Sequence, residues 1–564
     1  MAIPENIMQR YQAWLDDPHI DEETKKELRS IRDQEKEIEE RFYKDLEFGT
    51  GGLRGVIGAG TNRMNRYTVG IATQGLAHYL LKNATKPSCV IAHDSRHQSP
   101  EFALEAALVL AANGIKAYLF ESLRPTPELS FAVRELNASC GIVITASHNP
   151  PEYNGYKVYG PDGCQLVPRL AEQVFAEIRK VGGVGDIRRA DRAAAEKDGL
   201  LVWIGEDIDR RYVEQVASVS FSAGGSLKQA LADIRILYTP LHGAGNRLVR
   251  MALDAIGAKQ VRVVPEQEMP DPNFSTVKSP NPEEREAFTL AIRQAEDWGA
   301  DIIIGTDPDA DRMGAVIRHG GEYRILTGNQ SGAIMVHYLC SRLKEQGRLP
   351  ANGAVIKTIV TSEMGAKIAE SYGLTVFNTL TGFKYIGEKI TQFEQTGSHK
   401  FIFGYEESYG YLAGTYARDK DAVLASMLIC EAAAWYKQQG MTLIDVLESL
   451  YQQYGTFKER LESRTLKGKE GMEQIRRIME DWRSNPPQQV NGVKVTGVLD
   501  YLQGIDGLPK ENVLKFLLED GSWFCIRPSG TEPKIKIYFA VRGNSHEDAD
   551  TRIGRLVDEV MARI

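Results

Sequence analysis

Three aspartates stand at alternate positions in Asp307-Pro-Asp-Ala-Asp311, with Arg312 next. In extended chain, side chains at i, i+2 and i+4 face one way, so Asp307, Asp309 and Asp311 can converge on one hard cation. An EF-hand loop would need glycine at its sixth position and glutamate at its twelfth; Arg312 and Arg318 stand there instead. Mg2+ suits the set better than Ca2+, because three carboxylates leave coordination positions for a phosphate oxygen and water. The same residues would also make a solvated acidic turn. Arg312 is expected beside a transferring phosphoryl group.

A second chemical segment is Thr145-Ala-Ser-His-Asn-Pro-Pro151, which follows the apolar run Gly141–Ile144. A serine at the end of a buried strand, in a turn fixed by Asn149 and two prolines, is either a nucleophile or a cap for the next helix. Ser147 has no G-x-S-x-G elbow. On an extended backbone the adjacent His148 would point away from it. His148 and Lys157 are near enough in sequence to line one pocket; otherwise they serve as a structural hydrogen bond and a surface charge.

Three further segments carry polar groups in tight loops. In Gly404-Tyr-Glu-Glu-Ser-Tyr-Gly410, Glu406 and Ser408 put a carboxylate and a hydroxyl at i and i+2, a pair that grips two neighbouring sugar hydroxyls. Arg527-Pro-Ser-Gly-Thr531 combines a guanidinium, the hydroxyls of Ser529 and Thr531 and the flexible backbone of Gly530. It suits a phosphate dianion that is held rather than transferred. Phe48-Gly-Thr-Gly-Gly-Leu-Arg-Gly55 does not fit the dinucleotide pattern G-x-G-x-x-G, so Thr50 and Arg54 are read as reaching a phosphate or sugar hydroxyl.

These loops need a scaffold. Strand-like runs at 89–92, 142–145, 234–238, 261–264, 301–304, 355–359 and 401–403 alternate with helix-like runs at 68–82, 101–113, 244–257, 283–298, 328–346 and 421–438. The alternation predicts α/β domains with parallel or mixed sheets, whose ligands sit beyond the carboxyl ends of strands. Residues 21–47, rich in Glu, Lys and Arg, predict a solvated helix packed on the first domain. Beyond about 450 the pattern shifts to a hairpin around Glu519-Asp-Gly521, a strand at 535–541 and a helix at 546–563, the signature of a smaller α+β domain. Boundaries fall near 205, 322 and 450, giving domains 1–205, 206–322, 323–450 and 451–564.

A chain of 564 residues is too long for one core. Its composition, 42% hydrophobic and 26% charged, is that of a soluble globular protein, and a net charge of −8 argues against nucleic acid as a partner. Cysteines at 89, 140, 164, 340, 430 and 525 have no metal or redox spacing and read as reduced core residues. With no basic n-region at the start and no spanning apolar run, no membrane partner and a cytoplasmic location are expected.

The serine, aspartate, Glu-Glu-Ser and Arg-Pro-Ser-Gly-Thr segments, in this order, resemble those of the α-D-phosphohexomutase superfamily. Within it they are most similar to the bacterial phosphoglucomutases that resemble mammalian phosphoglucomutase-2. The resemblance implies an α/β, four-domain architecture: three related α/β domains with mixed sheets and a smaller C-terminal α+β domain around a central cleft. It implies that Ser147 is a phosphoserine and a metal ligand with Asp307, Asp309 and Asp311, holding one Mg2+ per subunit. Lys157 becomes a candidate proton carrier. Glu406 and Ser408 are implied to bind O3 and O4, Thr381-Gly382 to face the sugar, and Lys420 of Arg418-Asp-Lys-Asp421 to enter the site. Phe383 stands where some members have histidine. The implied reaction interconverts α-D-glucose 1-phosphate and glucose 6-phosphate, with glucose 1,6-bisphosphate as intermediate and activator. A monomer or weak dimer is expected. The alternatives are phosphopentomutase, phosphomannomutase or bisphosphate synthase activity, a phosphosugar-binding regulator, and a metal-dependent phosphatase.

Overall fold

The computed structural model describes residues 4–49, 52–222, 225–466, 468–529 and 534–564. Thr50, Gly530 and Thr531 lie outside these residues. The chain forms two compact units. One comprises Met1–Leu326, Phe383–Phe401 and Tyr409–Gln438; the other comprises Thr327–Gly382, Ile402–Ser408 and Gln439–Ile564.

The first unit begins with three short helices, Glu5–Asp16, Glu22–Ser30 and Glu35–Phe42. The single helix expected over 21–47 is therefore two. Asp21 caps the first by accepting from Thr24 N–H, and Ile31 ends it. The interleaved Leu28, Ile31 and Ile38 face inward, sharing a core with Trp14, Phe42 and Tyr67. Their charged neighbours stay in water, so the pair is amphipathic.

Two mixed sheets follow. The first holds β1 (Gly52–Val56), β2 (Ser88–His93), β3 (Lys116–Phe120), β4 (Cys140–Ile144), β5 (Tyr153–Tyr159) and β6 (Leu201–Ile204), in the order β1-β5-β4-β2-β3-β6. Thus part of the expected glycine-rich loop is an edge strand, antiparallel to β5. Ile91 and Ile142 on the central strands pack with Leu76 and Phe102 of the flanking helices. The second sheet holds β7 (Arg235–Thr239), β8 (Gln260–Val263), β9 (Ile302–Thr306), β10 (Met313–His319) and β11 (Glu322–Ile325), in the order β11-β10-β9-β7-β8. The helix expected over 283–298 starts only at Thr289, after a 3-10 turn at Arg285–Phe288. The preceding Pro-Asn-Pro run, 280–282, disfavours helix there.

The two sheets share one plan. β2 to β5 lie in the order β5-β4-β2-β3, and β7 to β10 repeat it as β10-β9-β7-β8. In both, the first strand is parallel to its two neighbours and the last turns back antiparallel.

Next, β12 (Gly353–Thr358), β13 (Thr375–Thr379) and β14 (Lys400–Glu406, in the second unit from Ile402) lie in the order β13-β12-β14, which repeats the strand order β3-β2-β4. The strand β15 (Gly410–Ala413) belongs to the first unit. The last sheet is antiparallel throughout: β16 (Thr456–Thr465), β17 (Gln489–Val490), β18 (Val493–Asp500), β19 (Leu514–Leu518), β20 (Trp523–Pro528) and β21 (Lys534–Gly543), ordered β16-β21-β20-β19-β18-β17. Its apolar face is covered by the helix His546–Met561. All six cysteines are buried and free, and among the described residues no helix is long and apolar enough to cross a membrane.

Candidate active site

Ser147 lies in the connection from β4 to the antiparallel β5. Its φ of 51° is left-handed, which is uncommon for a residue with a Cβ. This overturns the expectation that His148 points away. The backbone is not extended there, and His148 Nδ1 stands 3.2 Å from Ser147 Oγ. The serine hydroxyl donates to Asp307 Oδ2 at 2.8 Å, and its amide donates to Thr145 Oγ1 at 2.8 Å. Burial, reinforced by Arg312, holds the His148 imidazole well below its ordinary range. It is a neutral hydrogen-bonding group at pH 7.

The three aspartates occupy the turn between β9 and β10, with Ala310 at φ 50°. They converge because the turn closes on itself, and the extended alternation read from the sequence does not occur. Asp307 Oδ1 accepts the backbone N–H groups of Asp311 and Arg312 at 3.1 and 2.9 Å. The turn rests on Gly243, whose missing Cβ would lie 2.6 Å from Pro308 Cα. All three carboxylates are buried, each offering an oxygen within 4.8 Å of the others. Burial and the neighbouring Asp309 and Asp311 push the Asp307 carboxyl well above its ordinary range.

Two lysines reach this cluster. Lys157 Nζ lies 3.0 Å from Asp309 Oδ2, and Lys420 Nζ lies 3.0 Å from Asp311 Oδ2. Burial works against the Lys157 ammonium, but Asp309 and Asp311 hold its pKa above the ordinary lysine value. Lys420 runs past Gly410, where an added Cβ would sit 2.1 Å from its Cδ. A glycine at this end of the Glu-Glu-Ser segment is therefore what admits the lysine. Lys420 is shared with Asp419, whose Oδ1 lies 3.3 Å from Nζ, and Arg312 Nε stands 3.9 Å from Asp311 Oδ1. Asp309 Oδ1 and Asp311 Oδ1 are buried without a hydrogen-bond partner among the described residues. Leaving buried carboxylate oxygens unpaired costs several kcal/mol (order of magnitude). Converging buried carboxylates fit a hard divalent cation. The cluster is a divalent metal site.

Arg312 does not stand alone beside this site: its guanidinium pairs with Glu283. Arg54 is exposed, with Nη1 3.4 Å from Asn149 Oδ1. Phe383 lies under Lys420, its ring centroid 5.9 Å from Nζ.

The second unit holds the other candidate residues. Glu406 ends β14 and accepts Gly382 N–H at 2.9 Å. The two loops read separately in the sequence are thus tied together. Thr381 Oγ1 beside it is buried with no hydrogen-bond partner among the described residues. Ser408 is half-buried. Glu407, the middle residue, accepts from Thr358 Oγ1 and Thr361 Oγ1 at 3.2 Å each. Arg527 begins the partly exposed end of β20, with Nε donating to Glu511 Oε1 at 3.0 Å, and Ser529 N–H donates to Lys534 O at 2.7 Å.

Sequence reading passed over several side chains that touch these groups. Thr126 Oγ1 donates to Asp309 Oδ2 at 3.0 Å, and its amide donates to Asp309 O at 2.9 Å. Nothing in Arg-Pro-Thr-Pro, 124–127, signals this. Arg96 donates to the carbonyls of the serine loop. It had a signal, because Asp94-Ser-Arg96 follows β2 as the serine segment follows β4.

Models of the phosphoglucomutase/phosphomannomutase family match four successive segments: its alpha/beta/alpha domain I over residues 45–182, domain II over 210–321, domain III over 327–454 and the C-terminal domain over 465–553. A phosphoglucomutase of Staphylococcus haemolyticus is 39% identical over 91% of this chain and 94% of its own length. One from Staphylococcus aureus is 38% identical over 94% and 96%. In fold, the chain resembles a putative phosphomannomutase from Thermus thermophilus, with a TM-score of 0.69 at 23% identity over 92% of this chain and 99% of the other. It likewise resembles parafusin from Paramecium, with a TM-score of 0.71 at 19% identity over 92% and 94%. Four family segments in order, on relatives that match almost end to end, fix the class: the chain belongs to the phosphoglucomutase/phosphomannomutase family of the α-D-phosphohexomutase superfamily and is an isomerase of that kind.

Proposed function

We propose that this chain is a phosphoglucomutase, interconverting α-D-glucose 1-phosphate and glucose 6-phosphate through phospho-Ser147 and a glucose 1,6-bisphosphate intermediate. The observation that carries this reading is the 2.8 Å hydrogen bond from Ser147 Oγ to Asp307 within the three-carboxylate cluster. The phosphoglucomutase relatives from Staphylococcus supply the substrate class. A serine bonded to a metal-type carboxylate, beside a neutral histidine, is suited to carry a phosphoryl group. Phosphoryl transfer needs positioning and charge neutralisation more than a potent nucleophile.

In the forward half-reaction the Oγ–P bond of phospho-Ser147 breaks and a bond forms from phosphorus to the free hydroxyl of the sugar phosphate, whose proton ends on the freed Ser147 Oγ. Return transfer of the other phosphate restores phospho-Ser147. Asp307, Asp309, Asp311 and Ser147 are assigned as Mg2+ ligands. When bound, Mg2+ supplies charge neutralisation for the phosphoryl oxygens. Lys157, held charged, relays the proton in the return transfer, donating to the departing sugar oxygen and recovering a proton from the attacking Ser147 hydroxyl. Glu406, Ser408, Thr381 and Gly382 read the sugar; Arg527, Ser529, Gly530 and Thr531 hold the phosphate that is not reacting; Thr50, Arg54, Arg312, His148 and Lys420 complete the substrate and phosphoryl contacts. Domain limits near 205, 322 and 450 and a cytoplasmic location belong to the same reading.

A coupled assay that follows glucose 6-phosphate from glucose 1-phosphate, run beside an assay for free phosphate, tests it. Glucose 6-phosphate formed without phosphate release is expected. Phosphate release alone would make the chain a phosphatase, and substrate binding without either product would make it a regulator.

A further inference from the structure

Arg96 is buried at 1% exposure and spends its guanidinium on backbone oxygens. Nη1 donates to Pro150 O and Tyr153 O at 2.8 and 3.0 Å, and Nη2 donates to the carbonyls of Ser147 and Asn149. These four acceptors span the loop from the candidate nucleophile to the start of β5. Asp94 fixes the arginine from behind. Its Oδ1 accepts Arg96 N–H at 2.9 Å and the Ser99 hydroxyl at 2.8 Å, and its Oδ2 lies 3.3 Å from Nε.

The guanidinium also meets the segment matched by domain II. The Phe274 ring centroid lies 5.0 Å from the guanidinium carbon. Phe274 is itself buried and left-handed, at φ 49°. Its loop is held by Asp271, which accepts the amides of Asn273 and Ser275 at 2.9 Å, and by a 2.8 Å contact between His242 Nε2 and Thr276 Oγ1. A 2.8 Å contact between His97 Nε2 and Asn273 Oδ1 joins the two loops directly.

We infer that Arg96 is a positioning residue for Ser147. Its planar fork sets the backbone of residues 147–153, and Phe274 sets the fork. The loop that bears the nucleophile is thereby registered against the domain that bears the three aspartates. This rests on the reading that Ser147 is the phosphoryl carrier. Lysine cannot substitute, because a compact ammonium with three donors does not span four carbonyls arranged for a planar guanidinium. Ser147 needs such a clamp, since a non-glycine residue keeps a left-handed φ only where its surroundings over-determine it.

The test compares wild type with Arg96→Lys and Phe274→Leu in the full-length chain, by amide hydrogen exchange and by steady-state kinetics. In Arg96→Lys, exchange across 147–153 should rise about 10- to 100-fold, as expected for lost charge-assisted bonds. kcat should fall about 100-fold, the effect of a small misplacement of a reacting group, while KM stays within about threefold. Phe274→Leu should move both readouts in the same direction by about tenfold, and it decides the matter if Arg96→Lys does not fold. Unchanged exchange across 147–153 overturns the clamp. So does faster exchange across the whole of sheet β1–β6, which would mean general fold support, or wild-type kcat in a variant whose loop has loosened. If the wild type shows no mutase turnover, the functional reading fails, while the exchange measurement still decides whether the clamp exists.

Discussion

Lys420 Nζ lies 3.0 Å from Asp311 Oδ2, and the partner oxygen Oδ1 of that aspartate is buried with no hydrogen-bond partner among the described residues, 3.9 Å from Arg312 Nε. Asp309 repeats the division, with Oδ2 toward Lys157 and Oδ1 unpaired. The carboxylates thus have one oxygen for a fixed ammonium and one for a cation. Lysine and metal occupy different atoms of the same acids but compete for the same charge. Lys420→Met should therefore tighten divalent cation binding by about tenfold, because one repelling charge near the site is gone. kcat should fall in the same variant. Titration calorimetry with Mn2+ or Mg2+ reads the first effect, and weaker binding in Lys420→Met would refute the division of oxygens.

Ser147→Ala should abolish mutase turnover, since no phosphoryl carrier remains, while the aspartate cluster still binds metal. Intact-mass analysis of the wild type should show a phosphate adduct that maps to Ser147 and is absent from the variant. Turnover near wild type in Ser147→Ala would remove the serine from the mechanism.

Burial pushes the Glu459 carboxyl up to about 7 despite hydrogen bonds from Ser362 and Asn329, and its Oε1 is closed to solvent with no hydrogen-bond partner among the described residues. A carboxyl raised in the folded state stabilises fully below its unfolded value, and that contribution is lost as pH rises through the folded one. Nearby Lys515 is lowered to about 8 by burial and by Lys357. Its penalty is complete below pH 8 and adds no slope between pH 5 and 7. The stability of the second unit should accordingly fall by about 2–3 kcal/mol from pH 5 to pH 7.5. Glu459→Gln should flatten that slope and raise the urea midpoint at pH 7.5 but not at pH 5. A slope unchanged by the substitution would place its origin elsewhere.

The strands, the order of domains and the chemical loops were legible in the sequence because buried strands leave apolar runs and strand ends leave polar motifs. β4 before Ser147 and β9 before Asp307 are such cases. What failed was local backbone geometry. Extended alternation was assumed for both loops, whereas Ser147 and Ala310 are left-handed and the chain closes into turns. No residue type announced this, since serine and alanine have no preference for that region. The repeated order of β2–β5 and β7–β10 was implied by the family resemblance alone, because pairing order is set by which strands bury against each other and leaves no periodicity behind. Arg96 and Thr126 act through backbone and carboxylate contacts far away in sequence. Single-sequence patterns do not reach such contacts.

Glu406 joins two loops through its bond to Gly382 N–H, so its removal should affect sugar reading twice. Glu406→Ala deletes the carboxylate proposed to grip a sugar hydroxyl, and it also frees the amide that holds the Thr381-Gly382 turn. Neither contact involves Ser147 or the aspartates. kcat/KM for glucose 1-phosphate should drop by about 100-fold or more, the sum of two lost hydrogen bonds to a charged group at about 1.5–3 kcal/mol each, less what relaxation recovers. Spontaneous hydrolysis of phospho-Ser147 should stay within about threefold of wild type, because a loss confined to sugar contacts leaves the phosphoryl contacts intact. Glu406→Gln separates the two roles. An amide oxygen can still accept from Gly382 N–H, so the turn persists, but the charge that strengthens a sugar hydroxyl bond is lost. An intermediate loss in the glutamine variant, with thermal stability restored relative to alanine, would assign the remaining defect to the sugar. Equal losses of mutase turnover and phosphoserine hydrolysis in both variants would instead make Glu406 a structural residue of β14.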